Sequence, residues 1–91
     1  MFQIVKVSGV EQLGGYRLRL SFSDGSVGEH DFRPLIEEGG AMVEPLRDPA
    51  YFARVFVEMG IPTWPNGFDL DAIKLHMDMS KAGELTRDAA E

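Results

Sequence analysis

Cysteine is absent from all 91 residues, so neither a disulfide framework nor a thiolate metal site is open to this chain. That suits a reducing compartment. No apolar run approaches the ~20 residues that span a bilayer. The opening Met1-Phe2-Gln3-Ile4-Val5-Lys6 also lacks the basic leader and long apolar stretch of a secretory signal. A cytoplasmic protein without membrane contact is the expectation. Basic residues are few: nine against fifteen acidic, for a net charge of −6. They are also scattered, from Lys6, Arg17 and Arg19 to Lys81 and Arg87. A phosphate backbone repels such a surface, so no direct nucleic-acid binding is expected from this chain alone.

Recognisable catalytic patterns are missing too. No serine stands in a nucleophile elbow, and Gly14-Gly15 and Gly39-Gly40 are isolated turn pairs rather than phosphate loops. Only two histidines occur, and His76 has no second ligand three or four residues away on a helix face. No metal or cofactor is expected, and no catalytic residue stands out. His30 lies between Glu29 and Asp31, but neighbours on a strand point to opposite faces, so neither acid can orient its ring. A core-facing histidine hydrogen-bonded to backbone is the simpler reading.

What is present reads as one small folded domain. With 44% hydrophobic and 26% charged residues the composition is that of a globular chain. A chain of this length buries only roughly 60–65% of its unfolded surface, so the core is thin and each large side chain matters. Phe2–Val7 reads as a first strand, Ser8–Gly15 as a loop, and Tyr16–Phe22 alternates cleanly. Asp24-Gly25 marks a hairpin whose register can be argued. A two-residue turn sets Leu20 opposite Glu29 and Leu18 opposite Asp31, burying two acids. A three-residue loop, Ser23-Asp24-Gly25, with Gly25 in a left-handed bulge, pairs Arg19 with Glu29 and Arg17 with Asp31 on the solvent face. Cross-strand charge pairs add about 0.2–1 kcal/mol each, whereas a buried unpaired acid costs several, so the bulged register is expected.

Arg33–Gly40 then suggests a helical turn opened by Pro34 and closed by glycine, and Asp48-Pro49 caps a second short helix through Arg54. Val55–Val57 and Ile61–Trp64 read as strands about a Met59-Gly60 turn. In Trp64-Pro65-Asn66-Gly67-Phe68-Asp69-Leu70-Asp71 the proline extends Trp64, Asn66-Gly67 reverses the chain, and Asp71 caps a helix from Ala72 through Met77. Ile73, Met77 and Leu70 are expected to face the sheet. Trp64, the only tryptophan, serves first as a folding clasp and second as a contact for a partner.

Asp24-Gly25, Asp31-Phe32-Arg33-Pro34-Leu35, Pro45-Leu46-Arg47-Asp48-Pro49-Ala50-Tyr51-Phe52 and Trp64-Pro65-Asn66-Gly67-Phe68-Asp69-Leu70 together resemble a bacterial family, domain of unknown function 2442, over about residues 4 to 77. The resemblance implies a small α+β domain, found alone or ahead of a helix-turn-helix module. Stand-alone members often sit beside another small protein, which has prompted toxin–antitoxin suggestions. Ala72 stands where the family often has proline, and His30 where it often has an aliphatic residue.

The expectation is therefore one α+β domain over residues 1–80, a mostly antiparallel sheet of about five strands with short helices, the last packed on the sheet. Residues 81–91 read as a polar, frayed tail. The function expected is a protein-interaction module, antitoxin-like toward a small neighbouring protein, binding a partner or itself through Trp64, Pro65, Asn66 and Asp69. The alternative is a small-ligand binder or enzyme using His30 and the Asp69/Asp71 region. A pocket with convergent polar groups favours the second; an exposed patch or open sheet edge favours the first.

Overall fold

The computed structural model describes residues 4–87. Its strands and helices run β1 (Val7–Gly14), β2 (Arg17–Phe22), β3 (Ser26–Asp31), α1 (Arg33–Glu38), a 3-10 turn (Glu44–Arg47), α2 (Pro49–Phe52), β4 (Phe56–Glu58), β5 (Ile61–Thr63), α3 (Ala72–Lys81) and β6 (Leu85–Arg87). The expected α+β class holds. The strands divide into an antiparallel four-stranded sheet in the order β1-β2-β3-β6 and a separate β4-β5 hairpin. No helix among the described residues is long and apolar enough to cross a membrane.

The β2–β3 hairpin has the register argued from its charges. Arg19 pairs with Glu29, Leu18 with His30 and Arg17 with Asp31. Gly25 has φ 90°, and its amide donates to the Phe22 carbonyl at 3.0 Å. On the solvent face Glu29 takes both guanidinium groups, Arg17 at 2.7 Å and Arg19 at 3.0 Å. Both pairs are half exposed, so they specify register more than they stabilise. Leu18 and Leu20, on the opposite face, are fully buried.

The first strand lies further along than its composition suggests. Residues 1–3 fall outside the described part, and β1 starts at Val7 and takes in Gly9-Val10-Glu11-Gln12-Leu13. Two register shifts, at Ser8 and at Leu13, explain why the stretch has no clean alternation. β2 supplies the pairing that a loop reading of these residues misses.

The helix starts follow their caps. The Asp48 carboxylate accepts from the Ala50 amide at 3.0 Å, and Asp71 Oδ1 accepts from Ile73 at 2.9 Å and Lys74 at 3.4 Å. α3 runs past Met77 to Lys81, and its inward face is not the one expected. Ala72, Leu75 and Met79 are buried, whereas Ile73 and Met77 are 45% and 51% exposed. The 3- and 4-residue spacings of 72, 75 and 79 form one continuous stripe, and Ile73 and Met77 lie roughly 130° and 170° round the helix from its centre. A hydrogen bond of 2.9 Å from His76 to Asp24 in the β2–β3 turn holds that phase.

The C-terminal segment is likewise more ordered than a frayed tail. After α3 the Glu84 amide donates to the Met79 carbonyl at 2.9 Å, and β6 pairs antiparallel with β3, Val27 beside Thr86. Three residues are too few to show alternation, which is why composition alone reads them as tail. Residues 88–91 lie outside the described part.

A single core joins sheet and helices, with Trp64, Phe52, Leu18, Leu20, Leu46 and Met79 all fully buried. Trp64 sits in its middle, its ring 5.6 Å from Phe52 and 5.7 Å from Phe68. The indole N–H donates to the Phe52 carbonyl at 2.9 Å.

Candidate functional site

The surface with most recognition chemistry flanks the start of α3. Leu70 and Asp71 form a ridge there, and a groove opens on either side. The first groove, about 290 Å³, has walls from Ile4, Met59, Ile61, Ala72 and Ile73, with Lys6 and Asp69 at its rim. The second, about 260 Å³, is floored by Phe32, Leu35 and Leu75 and rimmed by His30, Glu38 and Lys74. A larger hollow of about 680 Å³ lies at the β2–β3 turn against Ser23, Asp24 and Arg87. Its carboxylate is already engaged by Ser26 and His76, so that hollow offers little unspent chemistry.

Met59 is the feature that needs explaining. It occupies the tip of the two-residue β4–β5 turn, Glu58 pairing with Ile61 across it. Its φ is 52°, and it is the one non-glycine residue at positive φ among those described. Such a turn favours asparagine or glycine at this place, and a left-handed residue with a Cβ costs about 1–2 kcal/mol. The side chain recovers none of this by packing, because Met59 is 88% exposed. Ile4, Ile73 and Met77 add exposures of 63%, 45% and 51%. An apolar side chain held out in a strained backbone is a liability unless something covers it.

The residues singled out in the sequence do not gather on one surface. Trp64 is completely buried and presents nothing to a partner, which removes it from the contact set. It follows β5, and the Asn66-Gly67 reversal folds back over it. The Trp64 amide donates to Phe68 and the Gly67 amide to Trp64, each at 2.9 Å. Pro65 is exposed on that reversal. Asn66 spends its side chain internally, donating to Met42 at 3.0 Å and accepting from Phe68 at 3.2 Å. Only Asp69 of the four lines a groove, the first. Asp71 borders both grooves, and His30 only the second, so His30 and Asp69 are not brought together.

His30 makes a contact that its sequence neighbours do not suggest. Its partner is a side chain rather than backbone: Nδ1 lies 2.7 Å from Glu84 Oε1, and its ring meets Phe32 edge-on at 4.7 Å. Glu84 comes from the segment joining α3 to β6, which the sequence does not place beside β3. His76 makes the equivalent link to Asp24. Both histidines therefore tie the hairpin to the α3–β6 segment. Replacing His30 by Val is expected to change stability by no more than about 1–2 kcal/mol, because its contact with Glu84 is partly exposed. Thermal melting together with partner binding checks it. A folded His30→Val protein that has lost a measured activity tells against the structural role.

Asp24 carries a pH dependence of defined sign. Burial alone raises its pKa, but the Ser26 hydroxyl and amide and then His76 together hold it below the ordinary aspartate value. Asp31 is lowered as well, first by the hydrogen bond from the Arg33 amide, opposed by burial, and further by the Arg33 side chain. A carboxyl with a lowered folded pKa stabilises fully above its unfolded value, about 3.9, and loses that contribution as the pH falls through the folded one. Urea unfolding between about pH 6 and pH 3 is expected to show stability falling with acid, less steeply in Asp24→Asn. Equal slopes in the two proteins refute the assignment.

Among the described residues no group of three or more histidines and acids is arranged to hold a metal ion. The family model for proteins of unknown function (DUF2442) matches residues 7–77. The chain belongs to the DUF2442 family. That match spans the hairpin, the Trp64 reversal and most of α3, and both grooves lie largely within it. No curated protein matches this DUF2442 chain, and no solved structure does. The sequence singles out neither Met59 nor Ile4 as a surface residue, and it assigns Ile73 to the face turned toward the sheet. A visible signal existed for the first: methionine in the Glu58-Met59-Gly60 turn, where a small polar residue is usual.

Proposed function

We propose that this DUF2442 domain is a protein-interaction module of the bacterial cytoplasm, acting in antitoxin fashion to hold a small protein partner. The observation that carries the reading is Met59, strained and 88% exposed, beside the exposed Ile4 and Ile73 on one groove. Methionine suits such a surface because its flexible, polarisable side chain adapts to varied apolar partners. Truncating Met59 and Ile73 to serine leaves the core untouched, as neither is buried. The double variant is expected to melt no lower than wild type and to lose proteins that co-purify with the tagged wild-type chain. Retention of the same proteins by the folded double variant refutes the reading.

A second reading, small-ligand binding, draws on the groove that His30 and Asp71 share with Phe32 and Leu75. It is weaker, because His30 is engaged by Glu84.

A further inference from the structure

We infer that the partner segment seated at α3 is a basic, amphipathic helix, with apolar side chains in the two grooves and a lysine or arginine over Asp69 and Asp71. This rests on the interaction reading above and adds the chemistry of the occupant. The two grooves share the Leu70–Asp71 ridge, so an occupant with one apolar face can fill both at once. Their rims are unequally charged. Asp69, Asp71, Glu38 and Asp78 stand against Lys6 and Lys74. Lys74 is already held by Asp78 at 3.1 Å, which leaves acid in excess. The whole chain carries −6, so a second copy brings like charge to the same place. An apolar stripe flanked by cations is the surface that complements this one, in the manner of a helix laid in a groove.

The test uses the full chain and three synthetic peptides. One is an amphipathic leucine–lysine helix former, one its leucine–glutamate counterpart, and one has the first peptide's composition scrambled so that the leucines share no face. Backbone amide NMR shifts report where each binds. The amphipathic leucine–lysine peptide alone is expected to perturb Met59, Gly60, Leu70 and Ile73. Its affinity is expected to fall roughly tenfold or more in Met59→Ser/Ile73→Ser, since burial of two such side chains is lost. It is also expected to fall several-fold in Asp69→Asn/Asp71→Asn, with a flatter salt dependence. Asparagine still caps a helix, so that variant keeps α3.

Equal binding of the leucine–glutamate or scrambled peptide at these amides overturns the basic-helix assignment and leaves the interaction surface standing. Shifts spread over Glu11 and Glu37 as well reduce the effect to general charge attraction and overturn it too. Unchanged affinity in Met59→Ser/Ile73→Ser overturns the surface itself. A concentration-dependent dimer that the same double variant abolishes makes a second copy the occupant and also refutes the inference.

Discussion

Trp64→Ala is expected to bring the domain to the edge of unfolding. The side chain is fully buried at the centre of the aromatic group, within 5.6 Å of the Phe52 ring and 5.7 Å of the Phe68 ring. Truncating an aromatic in such a place costs about 3–5 kcal/mol, and small domains hold roughly 5–15 kcal/mol in all. The cost comes from the cavity rather than from an orphaned acceptor. The Phe52 carbonyl, which accepts from the indole, also accepts from the Val55 amide at 3.3 Å. Phenylalanine at 64 keeps a ring between Phe52 and Phe68, so Trp64→Phe should recover most of the loss. Urea unfolding followed by circular dichroism measures both variants. In the wild type the tryptophan should emit at short wavelength and resist iodide. An Ala variant that melts within about 1 kcal/mol of wild type sinks the claim.

That result bears on why parts of this fold are readable from the chain and others are not. The β2–β3 register is readable because Glu29 and Asp31 forbid one alternative: a slip by one residue buries both acids. The helix starts at Asp48 and Asp71 are readable because a carboxylate cap is a local event between residues two or three apart. Burial of Trp64 follows from size and a thin core. The harder cases all depend on distant neighbours. β1 needs two bulges and the pairing surface of β2 to become a strand. The inward face of α3 is the one that buries Ala72, Leu75 and Met79, and it brings His76 to Asp24, 52 residues away. His30 meets Glu84 across 54 residues, so the nearest acids in sequence point to the wrong partner. The candidate surface is harder still. Ile73 is apolar on a helix that must bury one face, and only knowing which face is buried shows that it is left outside.

Gly28→Ala is expected to release the C-terminal strand. Gly28 sits in β3 opposite Leu85, and a Cβ built there falls 2.2 Å from the Glu84 carbonyl oxygen. No real Cβ tolerates that approach, and the obstacle is backbone, which cannot swing aside as a long side chain does. Glu84 must move, and with it the β6 pairing and the 2.7 Å contact to His30. Overpacking of this kind costs about 1–3 kcal/mol, less than the loss of Trp64 because the sheet's other strands and the aromatic core remain. The loss should be local: faster hydrogen exchange at Val27 and Thr86, with β1 and β2 still protected. Gly9→Ala is the control in the same sheet. Its Cβ meets nothing nearer than Ser21 at 3.9 Å, so it should be neutral or gain a few tenths to about 1 kcal/mol from a stiffer unfolded chain. His30→Val separates the two components of the Gly28 effect, since it removes the contact with Glu84 and leaves the close backbone approach in place. If Gly28→Ala exchanges and melts like Gly9→Ala, β6 does not lie against Gly28, and the C-terminal residues return to being a tail.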